Sequence, residues 1–227
     1  MRLDKRDYYQ LTHPQQRIWY TDKINTNSQL HNIGGLVKMK GKIDINRMEK
    51  TLNIIVEKND GLRLRFTEKN GDPIQYVEEF RNESIDFLDF SKFEIPKEQH
   101  EKWVKSLFET QFNLDESKLH YFAIYKLSED EYGVVIKFHH GICDGWGTTL
   151  VQNQICEIYS SLTNNNEICA DDCYSYTYLD FIKEEQEYLN SDKFIKNKNF
   201  WKEKFEDMPE EFLYNSSNSL DGKRVSF

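Results

Sequence analysis

Long apolar runs, paired cysteines, chain breakers and positive charge are all scarce in this sequence. No stretch approaches the ~20 apolar residues of a membrane-spanning helix, so no membrane span is expected. Met1 to Asp7 lack the apolar core of a secretion signal. The four cysteines, Cys143, Cys156, Cys169 and Cys173, include no Cys-x-x-Cys pair. That usage fits free thiols in a reducing compartment, and the expected location is cytoplasmic. Cys169 and Cys173 lie beside Asp171 and Asp172, too thin a pattern to specify zinc, so no metal is expected. Four prolines and ten glycines predict regular elements and modest loops. Thirty Lys and Arg stand against 39 Asp and Glu, a net charge of −9 that argues against a general nucleic-acid binder. Internal repeats and long low-complexity runs are absent as well.

Aromatic residues, by contrast, make up 14% of the chain, enough to build cores. A length of 227 residues corresponds to one or two domains. It needs neither disulfide nor metal to bury an adequate core. Thr12 and Pro14 predict a helix to Ile24. Leu30 to Lys40 reads as a strand. Asp44 caps a helix to about Lys58, whose Ile45, Met48, Leu52, Ile55 and Val56 form one stripe, and Gly61 lies past its end as a stop. Leu62 to Thr67 and Ile74 to Phe80 pair across the Asn70-Gly71-Asp72-Pro73 turn. Ile85 to Phe90 reads as a short strand, and Pro96 opens a helix to about Thr110 with Trp103, Leu107 and Phe108 inward. Leu119 to Leu127 and Glu131 to His139 form a second hairpin. Its return strand is almost wholly apolar and should be central, covered on both faces. Helices follow to Leu162, from Tyr176 to Leu189 and from Ser191 to Phe205. The fold class is α/β, a mixed, largely antiparallel sheet flanked by helices.

One stretch concentrates chemistry: Phe138-His139-His140-Gly141-Ile142-Cys143-Asp144-Gly145-Trp146. Two histidines end the most apolar strand, a short turn follows, and a helix begins. Neighbouring strand side chains point to opposite faces, so one histidine faces the core and the other a cleft. A rigid strand end suits a positioned general base. Asp144 sits where it can cap the helix or pair with a buried Arg, and Gly145 permits close backbone approach. Taken alone, the same residues read first as core histidines and a helix cap, and it is the surrounding sequence that shifts the balance. His13, His31, His100 and His120 read as surface or packing residues, and Glu184, Glu185 and Glu187 as a solvated helix face.

The His-His-x-x-x-Asp-Gly pattern resembles the signature of the condensation domains of nonribosomal peptide synthetases. Leu11-Thr12-His13-Pro14-Gln15-Gln16-Arg17-Ile18-Trp19 is similar to that family's opening motif. Lys58-Asn59-Asp60-Gly61-Leu62-Arg63-Leu64-Arg65-Phe66 is similar to the second, with Leu62, Arg63 and Phe66 fitting and Lys58, Asn59, Asp60 and Leu64 departing. Tyr178-Leu179-Asp180-Phe181 with Phe200-Trp201 resembles the next block.

The resemblance implies one lobe of a chloramphenicol-acetyltransferase-like fold, with residues 1–214 as the N-terminal lobe. Residues 215–227 would be a linker and the start of a missing C-terminal lobe. It implies an acyltransferase that forms an amide between an acyl donor and a carrier-bound aminoacyl acceptor, inactive as an isolated lobe. His140 would be catalytic, with His139, Asp144 and Arg63 structural at the active site. Asp144 would pair with Arg63, while Gly145 and Trp146 would serve the oxyanion or the channel. No cofactor is implied on this lobe. The phosphopantetheine belongs to the partner carrier (thiolation) protein, and acyl-coenzyme A is a candidate donor. The other implied partners are the C-terminal lobe of the same domain and downstream synthetase domains. The stretches around Arg17 to Lys23, Lys58 to Arg65, Gln75 to Val77 and Glu185 to Leu189 are similar to starter condensation domains of lipopeptide synthetases. The opening motif's position soon after Met1 fits that subtype. It also fits an elongation domain fed by a peptidyl carrier, and a non-catalytic carrier-docking platform is the third alternative.

Overall fold

The computed structural model describes residues 7–25, 29–164 and 176–207. The expected linker at 215–227 and the Cys169/Cys173 pair lie outside them. Two compact units divide the chain, residues 1–185 and 186–227. The first begins with β1 (Tyr9–Gln10) and α1 (His13–Ile24). Thr12 caps α1 through a capping box, its hydroxyl accepting from the Gln15 amide while the Gln15 side chain accepts from the Thr12 amide. There follow β2 (Asn32–Lys40), α2 (Ile45–Lys58), β3 (Leu64–Lys69), β4 (Asp72–Val77), β5 (Asp86–Asp89) and α3 (Pro96–Glu109). The unit continues with β6 (His120–Ser128), β7 (Glu131–His139), α4 (Gly145–Thr163) and the start of α5 (Tyr178–Leu189).

The strands form two sheets, ordered β1-β4-β3 and β2-β7-β6-β5. All pairings are antiparallel except β5 with β6. β7 is central, as its apolar sequence predicts. One face, with Val134, Ile136 and Phe138, packs on Met48, Leu52 and Ile55 of α2 and on Val151 and Ile155 of α4. The other carries Val135 into a second cluster with Phe90, Tyr125 and Leu127, closed by Trp103, Leu107 and Phe108 of α3. Leu52 and Ile55 are wholly buried. Truncating either to Ala costs about 2–5 kcal/mol at such sites. This double cover is what holds the end of β7 rigid.

Four details differ from the sequence expectations. Residues Asp60–Arg63 form a 3-10 turn, so β3 starts at Leu64 rather than Leu62. Gly61 lies inside that turn and does not stop α2. Asn59 does so, its amide nitrogen and side chain both donating to the Ile55 carbonyl at 3.1 and 2.7 Å. β1 is absent from the sequence expectations because a two-residue edge strand has no periodicity to read. The β3–β4 hairpin forms as expected but with a tighter turn, Asp72 and Pro73 already pairing within β4, which ends at Val77 rather than Phe80; Asn70 and Gly71 both sit at positive φ (55° and 89°).

The second unit holds the end of α5 and α6 (Asp192–Lys204). Ser191 caps α6, accepting from the Phe194 amide at 3.2 Å. Asn197 donates to the Tyr188 hydroxyl at 2.9 Å.

Candidate active site

β7 delivers its last residue, His139, into the core, and residues 140–144 turn the chain into α4. The alternation expected at the strand end holds. His139 is 2% exposed, while His140 is exposed. The Gly141 amide donates to His139 Nδ1 at 3.1 Å, so Nε2 carries the ring proton and donates it to Asp22 Oδ2 at 2.6 Å. The other Asp22 oxygen accepts from His31 Nδ1, also at 2.6 Å. Burial pushes the Asp22 carboxyl up, but the hydrogen bonds from His139 and His31 outweigh it and hold the group below its usual range. Asp22, His31 and His139 lie within ligand distance of one another. A metal there would need His139 Nε2 deprotonated while Nδ1 still accepts from Gly141, which requires an imidazolate. The donor set therefore fits a hydrogen-bonded anchor better than a cation site.

Gly141 is required at its position. A Cβ there would stand 2.8 Å from the Phe66 ring and 2.9 Å from His139 Nδ1. Its carbonyl is held from the other side by Gln15 of α1, whose amide donates at 3.0 Å. Gln15 and Gln75 of β4 exchange reciprocal amide bonds at 2.9 Å, and Gln75 also donates to the Gln10 carbonyl at 2.9 Å. This buried amide network ties the β1-β4-β3 sheet and α1 to the loop that carries His140.

His140 opens on a recess of about 390 Å³ between α1, the loop and α5, with Gln15, Ile18, Cys143, Tyr178 and Phe181 in its walls. Burial pushes the Tyr178 hydroxyl up to about 12, so the phenol stays protonated at neutral pH. Burial likewise pushes the Cys143 thiol up to about 11, which leaves it without nucleophilic thiolate at neutral pH. Asp60, one of the residues departing from the second motif, anchors the α5 wall. Its carboxylate accepts from the Tyr178 and Leu179 amides at 2.9 and 3.3 Å.

The expected Asp144–Arg63 pair is not formed. The Arg63 guanidinium donates to the Val56 and Glu57 carbonyls, which the end of α2 leaves free, and to the Glu78 carbonyl just past β4. Asp144 is exposed and caps α4, accepting from the Gly147 amide at 2.7 Å. Each side chain finds its partners locally, which is the physical reason the longer-range pairing fails. A Cβ at Gly145 would meet nothing within 4 Å among the described residues, so none of them demands glycine there. Trp146 is 72% exposed on the first turn of α4 and is not a wall of the recess.

Sequence reasoning misses Asp22, His31 and Gln75, and passes over Gln15 although it lies in the opening motif. A signal is available: Gln15, Trp19 and Asp22 stand at i, i+4 and i+7, one helical face, and all three are buried. Two of them are polar, so no apolar stripe marks that face. His31, placed by the sequence among surface or packing residues, is bonded to a buried carboxylate.

A family model described as condensation domain matches residues 5–227. Surfactin synthase subunit 1 of Bacillus subtilis (strain 168) is 31% identical over 226 residues, 96% of this chain and 6% of that protein. Bacitracin synthase 3 of Bacillus licheniformis is 25% identical over 233 residues, 100% of this chain and 3% of that protein. Among solved structures, the starter condensation domain of rhizomide synthetase superposes with a TM-score of 0.83 at 21% identity, over 90% of this chain and 49% of that one. The chain thus spans under a tenth of these curated relatives and about half of that structure. The fold is a chloramphenicol-acetyltransferase-like lobe.

Proposed function

The chain belongs to the condensation-domain family of nonribosomal peptide synthetases, and from that premise we propose that it is the N-terminal lobe of a domain that forms an amide bond. Residues 1–214 make the lobe, and residues 215–227 lead toward a C-terminal lobe. The acceptor amine of a carrier-bound aminoacyl group attacks the carbonyl carbon of an acyl thioester. The C–N bond forms, the C–S bond breaks, and the amine proton ends on the departing thiol. His140 orients that amine or takes its proton. The amides at the start of α4, Gly145 among them, face the charge developing on the carbonyl oxygen. Trp146 belongs to the channel surface shared with the second lobe. His139, Asp144 and Arg63 are structural, by the separate local bonds described above.

The observation that carries this reading is the division of labour at the strand end. His139 is pinned from both ring nitrogens. His140 has no side-chain hydrogen bond among the described residues and stands at a recess. That is the disposition of a group kept available for substrate.

The favoured donor is a fatty acyl-coenzyme A. The support is the similarity to surfactin synthase subunit 1 and to a starter condensation domain crystallised in complex with C8-CoA and Leu-SNAC (TM-score 0.81, 20% identity, 88% of this chain and 46% of that one). Carrier protein, second lobe and downstream synthetase domains are the partners, the phosphopantetheine arm is the carrier's, and the setting is cytoplasmic. Intact-mass analysis of an aminoacylated carrier, incubated with acyl-coenzyme A and the complete two-lobed domain, tests the proposal. Gain of one acyl mass, lost in His140→Ala, is expected. Transfer only from a peptidyl carrier would make it an elongation domain. Transfer from neither donor, with the fold verified, would favour a docking platform.

A further inference from the structure

The amide-forming reading leaves one question open, which is what holds His140 in place, since its ring has no side-chain hydrogen bond among the described residues. Its backbone amide donates to the His31 carbonyl at 2.8 Å. Its ring stands edge-on to the His31 ring, with centroids 6.4 Å apart. His31 lies just before β2, whose first residue, Asn32, pairs with His139. His31 is thus the neighbour of His140 through both backbone and ring. The His31 ring is itself fixed by its Nδ1 bond to Asp22 at 2.6 Å, and Asp22 lies buried on the inner face of α1. The second oxygen of that carboxylate holds His139.

We propose that Asp22 and His31 are positioning residues for His140, one buried carboxylate setting both motif histidines, His139 by direct contact and His140 through His31. The inference rests on the amide-forming reading, because it assigns a role relative to that reaction. Neither residue touches the recess in which substrate would lie. Their effect should therefore fall on turnover rather than on substrate binding. A loosened His140 samples geometries in which the amine is misplaced, and small displacements at a reacting centre are costly.

Four variants of the complete domain, three single and one double, test this, with wild type and His140→Ala run alongside so that failure of the underlying reading is seen separately as absent wild-type transfer. His31→Leu keeps the His139–Asp22 bond and removes only the link to His140. We expect its kcat to fall at least about tenfold with KM within about twofold. His31→Gln, whose amide can still donate to Asp22, should recover most of that loss. Asp22→Asn, which leaves one acceptor oxygen for two imidazoles, should lose at least as much as His31→Leu, and adding His31→Leu to it should cost little more, because the link to His140 is already weakened. Full turnover in His31→Leu, or a loss that His31→Gln does not relieve, would overturn the proposal. So would losses that multiply in the double variant. If Asp22→Asn does not fold, His31→Leu decides alone, with nitrogen-detected NMR of the imidazoles confirming that His139 keeps its proton on Nε2.

Discussion

His120 opens β6 with its ring against Phe122, centroids 5.2 Å apart, and its Nδ1 donates to the Leu62 carbonyl at 2.9 Å. Burial, opposed by that hydrogen bond and assisted by Arg65, pulls its pKa from 6.5 down to about 4. Between these two values the unfolded chain binds more protons than the folded one. Stability is therefore complete above the unfolded pKa and is lost as pH falls toward the folded one. Weighting the protonation of both states gives a loss of about 2 kcal/mol between about pH 7.5 and about pH 5, from about 1.4 kcal/mol per unit. The ring retains an edge in solvent, which makes this an upper figure. Urea unfolding of wild type and His120→Gln at both pH values isolates it. The Gln amide can still donate to Leu62, and every other titrating group is common to both proteins. Wild type should lose about 1–2 kcal/mol more than the variant on acidification. Parallel losses, within about 0.5 kcal/mol, would refute the claim that this imidazole is held neutral by its surroundings.

Gln15→Ala leaves the Gln75 side chain and the Gly141 carbonyl short of partners in a buried setting, so unfolding stability should drop by about 2–4 kcal/mol in a urea titration. A Gln15→Glu variant should fare no better, since a carboxylate cannot donate to the Gly141 carbonyl. Asp144→Ala should cost about 1 kcal/mol, the value of a helix cap, and Asp144→Asn much less. A double-mutant cycle between Asp144 and Arg63 should give a coupling near zero, and one above about 1 kcal/mol would mean that the two side chains do pair. Iodoacetamide mass-mapping at neutral pH should modify exposed Cys156 well before Cys143, whose thiol burial holds up to about 11. Equal labelling would show that the wall of the recess opens in solution.

The elements of this fold were largely readable because their signals are local. Asp44 before an apolar stripe at helical spacing is a complete description of α2, cap included. Asn70-Gly71 supplies two residues tolerant of positive φ, which is all that the hairpin needs. The two-sided burial of β7 follows from having almost no polar residue to expose, and the exception is instructive. Lys137 is buried, donates to the Thr110 carbonyl at 2.5 Å, stands 4.4 Å from the Phe112 ring, and is pulled down to about 8 by desolvation. Periodicity alone cannot show which carbonyl will receive a lysine from another segment.

At the site, rules local to the chain were enough for the opposed directions of His139 and His140 and for the family motifs, while for Asp144 they left a helix cap and an Arg partner both open. Pairing choices among distant polar groups were decided by the tertiary structure. Arg63 had Asp144 as a plausible partner on paper, yet the carbonyls at the end of α2 and at Glu78 were nearer once the chain had folded. His139 could have met any buried acceptor, and the packing of α1 brought it Asp22, a residue 117 positions away. A hydrogen bond forms only within about 3 Å, and sequence spacing carries that distance no further than a helical turn or a hairpin. Beyond that range, the packing of the apolar core settles which polar groups meet.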